Sequence, residues 1–197
     1  MTHQLRRRGI SLVDTLLSVT ILGILAATVI PSMSTAGTQR LEAVGRILAS
    51  DLTYARSLAI QYNTNWSISF DLTNNTYQLN FAGTGTAPVT PVNPRDFSDS
   101  QTAAYLVQVE RLGGSTVASN GVRLAGIAGK TTQSHYTTVT FGPLGGTGPA
   151  RSEDTVIWIT EGAGSETKYL RITLSWVTGQ VWLDRPDMLG NGTTVFL

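Results

Sequence analysis

The apolar and polar positions change period twice along the chain, and each change marks a different kind of element. From Ile10 to Ile30 there are 21 residues with one charge, Asp14. A helix of that length reaches about 31 Å, roughly one bilayer core. Beyond Pro31 the segment Ser32–Thr38 is small, polar and weakly helical, so a kink or partial melt is expected there. Leu41, Val44, Leu48, Leu52, Ala55, Ala59 and Tyr62 then recur at steps of three and four, one face of an amphipathic helix. Arg40, Glu42, Arg46, Asp51 and Arg56 fall mainly off that stripe, and Asn63-Thr64-Asn65 supplies a stop.

From residue 66 the period drops to two. Trp66–Phe70 and Thr76–Phe81 alternate on either side of Asp71–Asn75, which has turn chemistry, so the pair is predicted to be a hairpin. Residues 82–104, with Gly83, Gly85, Pro88, Pro91 and Pro94, are expected to form a long loop or insertion. Further strands are predicted at 105–111, 122–127, 136–141, 155–160, 169–175 and 180–183, with Thr178-Gly179 as a tight connection. The tail from Asp184 is expected to lie over the surface. A helix followed by a β-rich half makes the fold class α+β.

Charge gives the first segment a direction. Arg6, Arg7 and Arg8 precede the apolar run and no basic residue follows until Arg40, which places the N-terminus in the cytoplasm and the bulk of the chain outside. A secretory signal would have a shorter apolar region and a small-residue cleavage site after it; here Gly9 lies before the run. Asp14 inside the run opposes insertion by up to about 3 kcal/mol at the bilayer centre, and an acid in such a place implies a partner.

These residues carry a resemblance. The basic leader, Gly9-Ile10-Ser11-Leu12-Val13-Asp14, then Gly23-Ile24-Leu25-Ala26-Ala27 and Pro31, resemble the signal of type IV prepilins and type II secretion pseudopilins. The resemblance implies that a prepilin peptidase cuts after Gly9 and methylates the amine of Ile10. The apolar helix would stay on the mature protein and form the packing core of a filament, with Asp14 and Pro31 as assembly residues. The family has Glu where this chain has Asp14; the sign of the pairing with a neighbouring subunit's amine survives and its geometry changes by one methylene.

A narrower resemblance covers the second half. Asp51–Ile60 running into Trp66–Asp71 and Asn75–Leu79, then Phe141–Gly145 and Leu170–Leu174 to Val177–Val181, looks like the H-type minor pseudopilins, which include FimT-like minor pilins. That family implies a long N-terminal helix packed on antiparallel β-sheets. The expected organisation is a leader at 1–9, a transmembrane and filament-assembly helix at 10–31, an amphipathic continuation at 32–64 and a β-rich domain at 65–197.

The remaining chemistry is sparse. Removing the leader takes three arginines from 14 basic residues, leaving 11 against 13 acidic ones, which disfavours general DNA binding. There is no cysteine, so neither a disulfide framework nor a thiolate metal site exists. His3 belongs to the leader and His135 beside Tyr136 is expected to be an ordinary strand or surface residue. Gly142–Pro149 lacks the Lys-Ser/Thr of a phosphate loop and is expected to be a flexible turn. Asp96 with Asp99, and Asp184 with Asp187, could ligate calcium in principle, but solvated loop acids are the simpler account. No G-x-S-x-G elbow occurs, and no enzyme, cofactor or metal is indicated.

Two functions follow from the resemblance. One is a minor pseudopilin at or near the tip of a periplasmic pseudopilus, which exports folded cargo across the outer membrane. Its partners would be prepilin peptidase, other pseudopilins or pilins, the inner membrane and secreted cargo. The other is a FimT-like minor pilin that binds DNA for uptake, for which Lys168, Arg171, Trp182 and Arg185 are the candidate ligand-binding residues. A membrane-anchored enzyme is a remote third.

Overall fold

A computed structural model describes residues 12–94, 105–112, 121–148, 150–162 and 167–184, with the backbone alone at 25–36. The chain divides into two units, 1–37 and 38–197. Helix α1 spans Leu12–Gln61. Residues 32–38 are helical, so the expected melt does not occur. Nucleating a helix is costly and extending it is not; Ser, Thr and Ala between two nucleated segments each add a backbone hydrogen bond.

In the first unit the described side chains of α1 are exposed on every side. Leu12, Val13, Leu16, Leu17, Val19, Leu22 and Ile24 all present more than half of their surface. Ser18 Oγ donates to Asp14 O at 2.8 Å and Thr20 Oγ1 donates to Leu17 O at 2.8 Å. These hydroxyls therefore make no demand on the surroundings. Among the described residues no helix is long and apolar enough to cross a membrane.

The second unit contains the rest of α1, two antiparallel sheets and a single turn of helix. Strands β1 (Trp66–Asp71), β2 (Thr76–Phe81), β3 (Tyr105–Gln108) and β5 (Thr138–Phe141) form one sheet in the order β3-β2-β1-β5. Strands β4 (Arg123–Gly129), β6 (Thr155–Glu161), β7 (Lys168–Leu174) and β8 (Val181–Asp184) form the other, in the order β4-β6-β7-β8. The alternating runs predicted from the sequence match these strands with one correction. The strand expected at 105–111 stops at Gln108, and Val109–Leu112 turns into helix α2. Val109 N still donates to Asn75 O at 3.0 Å, in register with the β2–β3 ladder, and the chain leaves the sheet after it. The described part of the insertion, 82–94, contains no strand, yet Val89 packs on the core and Pro91 is buried. The rest of it, with Asp96 and Asp99, and the tail from Arg185 lie outside the described residues.

The helical stripe folds as the spacing predicts. Leu41, Val44, Leu48, Leu52, Ala55 and Ala59 are each at most 1% exposed and share one core with both sheets. At about 25 cal/mol per Å², each buried leucine contributes roughly 1.5–3 kcal/mol. Gly45 lets the helix approach the second sheet: a Cβ there would stand 2.2 Å from Leu170 Cδ2 and 3.0 Å from Leu183 Cδ1. The helix ends as expected, with Asn63 in the left-handed region (φ 48°) and Thr64 N donating back to Ala59 O at 3.1 Å.

Two sequence expectations fail inside this unit. Asp51, placed off the stripe, is 3% exposed and lies in the core. The glycine-rich loop after Phe141 is a built turn. Gly142 N donates to Gly146 O and Gly145 N to Gly142 O, both at 2.8 Å, while Thr147 N donates to Trp176 O at 2.9 Å. Backbone contact with the β7–β8 turn requires a glycine on each side: a Cβ on Gly146 would meet the carbonyls of Val177 and Trp176, and one on Gly179 would meet that of Gly145.

Candidate functional site

The candidate residues fall in two places. Asp14 sits in the first turn of α1 among the exposed apolar side chains. Pro31 is within α1; Gly9 and Ile10 precede the described residues.

The proposed ligand-binding set does not converge. Along β7, Leu170, Ile172 and Leu174 face the core, so Tyr169, Arg171 and Thr173 face outward. Trp182 and Asp184 share that outward face, paired with Thr173 and Arg171 across the ladder. Lys168 has the parity of the core-facing row and points toward α1, where its Nζ donates to Thr38 Oγ1 at 3.0 Å. It therefore lies on the opposite face of the sheet from Arg171 and Trp182. Arg171 is already engaged: its Nε donates to Asp184 Oδ2 at 2.6 Å and its guanidinium lies 5.7 Å from the Trp158 ring centroid. Asp184 is thus a strand residue in an ion pair, not a solvated loop acid. Trp182 is 43% exposed and is the member of the set with an open ring surface. Arg185 lies outside the described residues.

Three polar clusters escaped the sequence reading. Asp51 accepts Tyr77 Oη at 2.5 Å and Tyr105 Oη at 2.9 Å. Asn75 takes a left-handed φ of 52° and uses its side chain as backbone does, donating to Val122 O at 3.0 Å and accepting Leu124 N at 2.8 Å. Glu161, the cross-strand partner of Lys168, is 7% exposed and accepts Arg40 Nη1 at 3.1 Å. Desolvation by burial raises the Glu161 pKa above its usual range, against the opposing pull of Arg40 and Lys168. Each cluster ties α1 or a turn to a distant strand, with no signal in local sequence. Among the described residues no group of His, Asp or Glu could hold a metal. His135 is exposed and makes an isolated bridge with Ala128.

The family model for the type II transport protein GspH matches residues 45–179. The chain belongs to the GspH family. The match runs from the part of α1 packed against the second sheet to the β7–β8 turn, through both sheets of this GspH domain. The family is one of pseudopilins, structural subunits and not enzymes, which bears out the resemblance read from the sequence. Two crystal structures of the type IV minor pilin FimU from Pseudomonas aeruginosa strain PAO1 are similar in fold. One is 15% identical, covers 76% of this chain and 91% of FimU, and has a TM-score of 0.48. The other crystal form is 13% identical, with 75% and 94% coverage and a TM-score of 0.44. No curated protein sequence matches this chain.

Proposed function

We propose that this GspH-family chain is a minor pseudopilin of a type II secretion pseudopilus, placed at or near its tip. The observation that carries the reading is the apolar surface of α1 from Leu12 to Ile24, exposed all round apart from one acid in its first turn and joined to a GspH domain. Such a surface is stable only in lipid or against other apolar helices. The full run Ile10–Ile30 has the length to span the inner membrane, with the N-terminus cytoplasmic and the β-rich domain periplasmic. Prepilin peptidase cuts after Gly9 and methylates Ile10. In the filament the Asp14 carboxylate meets the Ile10 amine of a neighbouring pseudopilin. The β-rich domain contacts other subunits and cargo.

DNA uptake is the weaker reading. Of its described basic residues, Lys168 points toward α1 and Arg171 is neutralised by Asp184, so these two lend the Trp182 face little positive field to hold a phosphate backbone.

The test is the N-terminal mass of the protein purified from membranes with and without prepilin peptidase. A chain that begins at methylated Ile10 only when the peptidase is present supports the reading. A chain that retains Met1–Gly9 in both cases overturns it.

A further inference from the structure

Three of the four sheet edges are capped by the chain itself. Beside β4, Tyr136 N donates to Ile127 O at 2.9 Å and Gly129 N to Ser134 O at 3.0 Å. Beside β3, Asn93 Nδ2 donates to Leu106 O at 3.0 Å, and beside β5, Arg151 Nη2 donates to Thr138 O at 2.6 Å. Strand β8 differs: among the described residues it pairs with β7 alone. Over Val181–Asp184 it carries no Pro, no Lys and no bulge; its edge is blunted only by its four-residue length and by Asp184, whose charge is paired with Arg171.

The ladder fixes which groups of β8 face away from β7. Ser175 N donates to Gln180 O at 2.9 Å, which makes Thr173/Trp182 and Arg171/Asp184 the hydrogen-bonded pairs of β7 and β8. The N–H and C=O of Val181 and Leu183 therefore point away from β7. An extended strand is the partner that satisfies such a row.

We propose that a second copy of this chain supplies that strand, its β8 running antiparallel to the first about a two-fold axis at Trp182. In an antiparallel ladder with Trp182 opposite itself, Val181 stands opposite Leu183 of the second copy. Those are the residues with outward backbone groups, so all of these groups find partners. The side-chain faces agree as well: Val181 and Leu183 meet on the core side, and Trp182 meets its counterpart on the outer face. The axis passes through a non-hydrogen-bonded pair, where Cα atoms come within about 4.5 Å and aromatic pairs gain most. Gln180 stands opposite Asp184, whose charge Arg171 already neutralises at 2.6 Å, so no like charges face each other. The edge is self-complementary in hydrogen bonding, apolar pattern and charge.

The absence of cysteine makes the test specific. Trp182→Cys in the full chain, oxidised in membranes, is expected to move most of the protein to twice its mass on a non-reducing gel. Thr173→Cys is the control, on the same outer face but one strand inward. Two copies of it would be about 14 Å apart across the joined edge, beyond the reach of a disulfide. It is expected to crosslink at least ten-fold less. A monomeric Trp182→Cys chain, or equal crosslinking at both positions, overturns the proposal. Hydrogen exchange of the unmodified full chain in detergent gives an independent reading: the amides of Val181 and Leu183 should lose protection on dilution. Protection that does not change with concentration means that residues of the same chain cover the edge, and also overturns it.

Discussion

Tyr77 Oη donates a hydrogen bond to Asp51 Oδ2 at 2.5 Å in the core, and Tyr105 Oη donates to the other carboxylate oxygen at 2.9 Å. One buried acid on α1 therefore holds β2 and β3 of the first sheet. Removing the buried acceptor strands two hydroxyl donors at about 1–3 kcal/mol each, so Asp51→Ala should cost about 2–6 kcal/mol in urea unfolding. Tyr77→Phe and Tyr105→Phe should each cost about 1.5–3 kcal/mol. In the Asp51→Ala background the Tyr77→Phe cost should shrink; additive costs would mean that the pair is not coupled.

Acid and base should act on different carboxylates. Glu161 has a raised pKa, so the folded state holds its proton more tightly than the unfolded chain. Its contribution is fully present below the usual value of 4.5 and is lost as pH rises through the higher folded value. Glu161→Gln should flatten the unfolding free energy in the window just above pH 4.5, as read by urea titration at successive pH values. The opposite sign applies to Asp71, lowered by its Asn74 hydrogen bonds, and Glu153, lowered by those from Thr132 and Thr131. Their contributions are present near neutral pH and disappear as pH falls below their usual values of 3.8 and 4.5.

Gly179 and Gly85 both have positive φ, at 65° and 86°, but only Gly179 is crowded. A Cβ on Gly179 meets the Gly145 carbonyl, whereas nothing lies within 4 Å of one on Gly85. Gly85→Ala should cost about 1–2 kcal/mol from the backbone alone. Gly179→Ala should cost about 2 kcal/mol more, because backbone must move. Thermal unfolding of the two variants gives the comparison; equal midpoints would contradict the docked-turn geometry.

Assembly and processing should separate at the N-terminus. Asp14→Ala should leave membrane insertion intact and reduce incorporation into filaments, measured as the sheared fraction against the membrane fraction. Normal incorporation would remove the amine pairing. Gly9→Ala should still be processed, whereas Gly9→Leu should accumulate at the unprocessed mass.

The sequence by itself determined the elements whose cause is local. The apolar run with Asp14, the stripe from Leu41 to Ala59, the Asn63 stop and the alternating strands each follow from a period or a turn residue within a short window. Tertiary structure decided everything that depends on register between distant strands. Asp51 looks like a solvent-facing charge on a helical wheel, and only the arrival of Tyr77 and Tyr105 makes it a core residue. Asn75 looks like turn chemistry, and only its position beside Val122 and Leu124 turns its amide into a strand substitute. Lys168 and Arg171 are three residues apart, close enough to suggest one basic patch. In a strand with a period of two, an odd separation puts them on opposite faces, and Asp184 across the ladder claims Arg171.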